Sequence, residues 1–93
     1  MASHYIALIH KDPDSGYGVS FPDLFGVTTV ADTLDDALRE ASVALAFALE
    51  DWPGGAPRPR TLDALRTDPS FLDWSADAVV AAVQPDVPVT EAA

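Results

Sequence analysis

Tyr17-Gly18-Val19-Ser20-Phe21-Pro22-Asp23-Leu24-Phe25-Gly26 is the stretch on which the fold turns. Tyr17, Val19 and Phe21 alternate with Gly18 and Ser20, which predicts a strand with one bulky face and one low face. Pro22 then removes a ladder donor and Gly26 closes the excursion, so the strand stops and a short loop follows. Extended structure resumes at Val27-Thr28-Thr29-Val30, where β-branched residues dominate. On the N-terminal side, Lys11-Asp12-Pro13-Asp14-Ser15-Gly16 gathers turn-forming residues and predicts a hairpin loop. Before it, His4 to Ile9 places Tyr5, Ala7 and Ile9 on one face and Ile6 and Leu8 on the other. Both faces are apolar, so this strand is expected at the centre of the sheet.

On the C-terminal side, Thr33 precedes Leu34-Asp35-Asp36, a helix N-cap followed by carboxylates at the positive end of the dipole. Leu34, Leu38, Ala41, Leu45 and Leu49 form a stripe at helical spacing, wide enough to cover one face of a sheet, and Trp52-Pro53-Gly54-Gly55 ends it. The Pro/Gly segment from Pro53 to Arg60 reads as a connector. Thr61 to Arg66 predicts a short second helix stopped by Asp68-Pro69, with Phe71 and Trp74 as local anchors. Ala78 to Val83 is a continuous apolar run suited to a strand buried on both sides. The expectation is one α+β domain over residues 1–85: a three-stranded antiparallel sheet, a long helix packed on it, a short second helix and a fourth strand, in the order β-β-β-α-α-β. Residues 86–93 are expected to form a flexible tail.

Composition agrees with a single small domain. Of the 93 residues, 16 are Ala, while Leu, Ile, Val and Phe number 24. That is 24/93, or 26%, above the roughly 20% below which a charged chain stays disordered. A chain this short buries only about 60–65% of its unfolded surface, which favours self-association or a tight partner. The net charge of −10 repels phosphate, disfavouring direct nucleic-acid binding and favouring a basic protein partner. The absence of cysteine removes disulfides, zinc-thiolate sites and thiol nucleophiles, and fits the cytoplasm. Neither a signal peptide nor a membrane span is legible.

The residues that carry chemistry point away from catalysis. Asp12, Asp14, Asp23, Asp35 and Asp36 are the carboxylates nearest to a two-metal arrangement, but turn and helix-dipole roles account for the loop and helix pairs. His4 and His10 stand at opposite ends of one strand, too far apart for a shared metal. No serine has a base at an identifiable spacing, and Gly54-Gly55 lacks the lysine of a phosphate cradle. No catalytic residue, metal or cofactor is expected. Leu24 and Phe25 are two bulky apolar residues in a surface loop, either tucked against the helix or forming a contact patch. Asp23 beside them either caps the loop or faces a partner.

The ordered string Tyr5-Ile6-Ala7-Leu8-Ile9, Lys11-Asp12, Asp14-Ser15-Gly16-Tyr17, Val19-Ser20-Phe21-Pro22-Asp23-Leu24, Gly26 and Asp32-Thr33-Leu34-Asp35-Asp36-Ala37 resembles the HicB-type antitoxins of bacterial type II toxin–antitoxin modules. The resemblance covers about the first fifty residues and departs from the family at Phe25, Val27 and Ala31, where Pro, Cys and Gly are usual. It implies a partial RNase H-like core whose role is to bind and mask a small basic HicA-like ribonuclease toxin. Many members also carry a C-terminal DNA-binding domain; only Val-Thr-Glu-Ala-Ala follows Pro88, so none is expected in this chain. The expected partner-binding residues are Asp23, Leu24 and Phe25, with Asp35, Asp36 and Glu40 as electrostatic contributors. Homodimers or higher oligomers are expected. The competing expectations are an orphan oligomeric scaffold without a toxin and, more remotely, a metal-dependent nuclease.

Overall fold

The computed structural model describes residues 4–11, 13–14 and 16–85. Seven elements follow one another: β1 (Tyr5–Lys11), β2 (Tyr17–Ser20), β3 (Thr28–Ala31), α1 (Leu34–Glu50), α2 (Leu62–Leu65), α3 (Pro69–Trp74) and β4 (Val79–Val83). The strands form one sheet in the order β3-β2-β1-β4, with every neighbouring pair antiparallel. β1 is central, as its two apolar faces require. Tyr5, Ala7 and Ile9 meet α1 in a core shared with Val19, Phe21, Leu24, Ala37, Ala41, Leu45 and Val83. Ile6 and Leu8 point the other way and pack with Leu65 and Phe71 from the short helices. The sheet therefore lies between two helical layers.

Local chemistry sets the helix boundaries. The Thr33 hydroxyl accepts from the Asp36 N–H at 3.0 Å, and Asp35 and Asp36 occupy the first turn of α1. Ala37, Ala41 and Leu45, spaced by four, are its buried residues. Leu38, assigned to the same stripe by periodicity, remains 38% exposed at the edge of the contact. Thr61 caps α2 through the Ala64 N–H at 3.1 Å.

Two expectations change. Asp68-Pro69 starts a third helix instead of only ending the second: the Asp68 carboxylate accepts from the Ser70 N–H at 2.9 Å. Proline suits that position because its missing donor is one the first helical turn leaves unpaired anyway. β4 is also not buried on both sides. It is an edge strand, and Val79 and Val80 are 47% and 41% exposed. Its apolar run reflects pairing with β1 and burial of Val83, with Ala81 and Ala78 packed partly against the two cores. The expected tail, residues 86–93, lies outside the described residues.

The hairpin between β1 and β2 ends on a close approach. An ideal Cβ at Gly16 would lie 2.0 Å from the Ala31 carbonyl oxygen, whereas one at Gly18 would meet nothing within 4 Å. Gly16→Ala is therefore expected to cost about 1–3 kcal/mol through forced backbone displacement, and Gly18→Ala much less. Leu45→Ala should cost about 2–5 kcal/mol, against less than about 1 kcal/mol for Leu38→Ala. Urea unfolding of the four variants checks both contrasts.

Candidate partner-binding site

The β2–β3 connection is a tight turn held by main-chain hydrogen bonds. The Leu24 N–H donates to the Phe21 carbonyl at 3.1 Å and the Val27 N–H donates to the Leu24 carbonyl at 3.2 Å. Gly26 takes φ +89°, a left-handed conformation that glycine adopts without strain. Leu24 is fully buried in the α1 core, and Phe25 beside it is 96% exposed. The two alternatives for this pair thus apply to different residues: Leu24 is tucked in, and Phe25 stands out in solvent.

Asp23 is held from inside the molecule. Its side chain is only 7% exposed. It accepts from the Arg60 main-chain N–H at 2.7 Å through Oδ2 and from Arg60 Nε at 2.6 Å through Oδ1. Arg60 Nη1 reaches on to Asp68 Oδ2 at 3.2 Å. Since Asp68 also caps α3, the β2–β3 turn is tied across the 52–60 connection to the helices on the opposite face of the sheet. Hydrogen bonding to Asp23, then to Asp68, holds the Arg60 guanidinium pKa further above its ordinary range. The Arg60 hydrogen bond, followed by the Ser70 N–H, lowers that of the Asp68 carboxyl. Nearby, the Tyr5 hydroxyl donates to the Pro57 carbonyl at 2.5 Å. Burial, with the negative charge of Asp23 as a second cause, raises the Tyr5 pKa.

The α1 carboxylates behave differently from one another. Asp35 and Glu40 are exposed, while Asp36 pairs with Arg39 at 2.5 Å on the helix surface. These residues share the α1 side of the sheet with the β2–β3 turn, because Leu24 lies in the same core as Ala37 and Ala41. Elsewhere His10 Nε2 lies 2.9 Å from the Trp74 carbonyl oxygen and the two rings stack at 6.4 Å, which gives this histidine a packing role. Among the described residues, no group of three or more His, Cys, Asp or Glu is placed to hold a metal ion. Nor is any described helix long and apolar enough to cross a membrane.

Sequence reasoning missed Arg60, which lies 37 residues from Asp23 in a segment read only as a connector. No local signal marks it, since the contact exists only after the chain has folded.

Comparison with known proteins assigns the chain. Residues 5–91 match the profile described as the HicB_like antitoxin of bacterial toxin-antitoxin system. The chain belongs to the HicB-like antitoxin family. The crystal structure of the N-terminal domain of the Burkholderia pseudomallei antitoxin HicB superposes with a TM-score of 0.67 at 30% identity, over 90% of this chain and 99% of that one. The crystal structure of the B. pseudomallei antitoxin HicB gives 0.60 at 34% identity, over 86% of this chain and 61% of that one. No curated protein sequence matches significantly. The antitoxin role of a toxin–antitoxin pair follows from the family, and the α+β fold is that of the HicB N-terminal domain.

The Asp68–Arg60 contact carries a pH signature. With its folded pKa depressed below the ordinary 3.8, Asp68 contributes stability above that value and loses it as pH falls through the lower folded value. Asp68→Asn keeps an N-cap but removes the charge. The variant is therefore expected to melt below the parent at pH 7, with the gap narrowing as pH is lowered below about 3.8. Thermal unfolding monitored by circular dichroism across this range checks it.

Proposed function

We propose that this HicB-like chain binds a small basic HicA-like mRNA interferase toxin in the cytoplasm and neutralises it by covering its RNA-binding surface. It acts as a noncatalytic partner with no metal or cofactor. The observation that carries the reading is Phe25: an aromatic ring 96% exposed, on a turn whose neighbours on both sides are fixed. An exposed aromatic on rigid backbone is the kind of anchor that dominates protein–protein contacts. Asp35, Asp36 and Glu40 supply negative charge on the same side of the sheet, and the net charge of −10 steers a basic partner toward it. Asp23 and Leu24 serve this surface from beneath, Asp23 through its clamp to Arg60 and Leu24 through the core.

A second reading, an oligomeric scaffold of this fold without a toxin, draws on the sheet edges. β3 and β4 contain no charged residue and no proline, and expose Val30, Val79 and Val80, so neither edge strand carries a charge or proline barrier to pairing with another copy, and the five-residue β4 is the longer of the two. Self-association is compatible with toxin binding. A mass by light scattering that stays monomeric at all concentrations would remove it.

Calorimetry of the chain with a co-encoded HicA-like protein, at two salt concentrations and with RNA cleavage followed in parallel, tests the toxin reading. Tight, salt-sensitive binding that stops cleavage is expected. Phe25→Ala should weaken binding by at least about tenfold. Asp35→Lys with Glu40→Lys should slow association chiefly at low salt. Absence of binding by the folded chain would give the scaffold reading the lead.

A further inference from the structure

We propose that Arg60 is the positioning residue for Phe25, an inference that rests on the toxin-binding reading of the β2–β3 turn. The Asp23 carboxylate is nearly withdrawn from water, and it accepts from the Arg60 main-chain N–H and guanidinium. A carboxylate so placed is costly unless a cation and directed hydrogen bonds compensate it, and the Arg60 fork supplies both. The same guanidinium is anchored at its far end by Asp68, at the start of α3. α3 in turn is seated by Phe71 against Ile6 and Leu8. Arg60 is thus a strut with one end on the helical layer and the other on the turn that carries Phe25.

Neither hydrophobic core contains Arg60, and Phe25 has almost no surface buried in the fold. Fixing the backbone beneath a fully solvated ring contributes nothing to burying that ring in the free protein. Its effect appears on association, where a turn that is already ordered loses less conformational freedom. Truncating Arg60 leaves Asp23 short of its charged partner. The carboxylate then rehydrates by moving outward, and the turn between Phe21 and Val27 loosens although the core stays intact.

The test combines amide hydrogen exchange on the free chain with binding to the co-encoded HicA-like protein, for the parent, Arg60→Ala, Phe25→Ala and the double variant. In Arg60→Ala, exchange at the Leu24 and Val27 amides is expected to rise by about tenfold while core amides of β1 keep their protection. Affinity should fall several-fold, and Phe25→Ala should cost less in the Arg60→Ala background than in the parent, a coupling that general destabilisation does not produce. Arg60→Lys, which keeps the charge without the fork, should fall between, and provides the comparison if Arg60→Ala does not fold. Unchanged exchange at Leu24 and Val27, or strictly additive losses of affinity, would overturn the proposal. If Phe25→Ala binds as tightly as the parent, the turn is not the toxin-binding surface and the binding role fails; the exchange rates still report separately whether Arg60 holds the turn.

Discussion

Burial of β1 on both faces is the constraint from which the architecture follows. Five consecutive residues, Tyr5 to Ile9, are withdrawn from water, with side chains alternating between two separate cores. Buried apolar surface on both sides of one strand demands cover on both sides and a paired neighbour along each edge. α1 covers one face, α2 and α3 the other, and β2 and β4 flank the strand. In a chain of 93 residues little surface remains for any further core. Of the connections that join these elements, the β2–β3 turn is the most sharply defined.

Much of this architecture was legible because it is governed by short-range rules. Alternation in Tyr5–Ile9 and Tyr17–Phe21, the Thr33 cap and the spacing of Ala41 and Leu45 each report a local periodicity or hydrogen bond. The departures arise where local rules admit two outcomes. Asp68-Pro69 fits a helix start as well as a helix stop, and Val79-Val80 looks the same in an edge strand as in a buried one. Which outcome holds is decided by tertiary neighbours. The turn was legible as an excursion between Pro22 and Gly26, but the opposite fates of Leu24 and Phe25 were not. Adjacent residues in a turn point in different directions, and only the position of α1 determines which of them is buried.

The carboxylates show how little residue type alone says about role. Asp23 is nearly buried and clamped by arginine, Asp68 bridges that arginine to a helix start, Asp36 pairs on an exposed surface, and Asp35 lies open. An exposed pair such as Asp36–Arg39 contributes roughly 0.2–1 kcal/mol at most. The clamp at Asp23 combines main-chain and guanidinium donors on a shielded group, which makes it geometrically more demanding. An acidic protein of this kind thus divides its negative charge between internal fastening and an external field. The antitoxin family to which the chain belongs implies a toxin partner in general, and an acidic external field favours encounter with a basic one.

The pairing of β4 with β1 joins segments some seventy residues apart in sequence, from Tyr5 opposite Val83 to Ile9 opposite Val79. On the ribosome, β1 is made long before the strand that closes its second edge. The hairpin with β2 forms locally, but the second pairing must close a very long loop and is entropically late. Nascent chains that stop before residue 79 leave the most apolar strand of the protein with an open flank. Completion of this sheet is thus coupled to synthesis of the segment through Val83, long after β1 itself has been made.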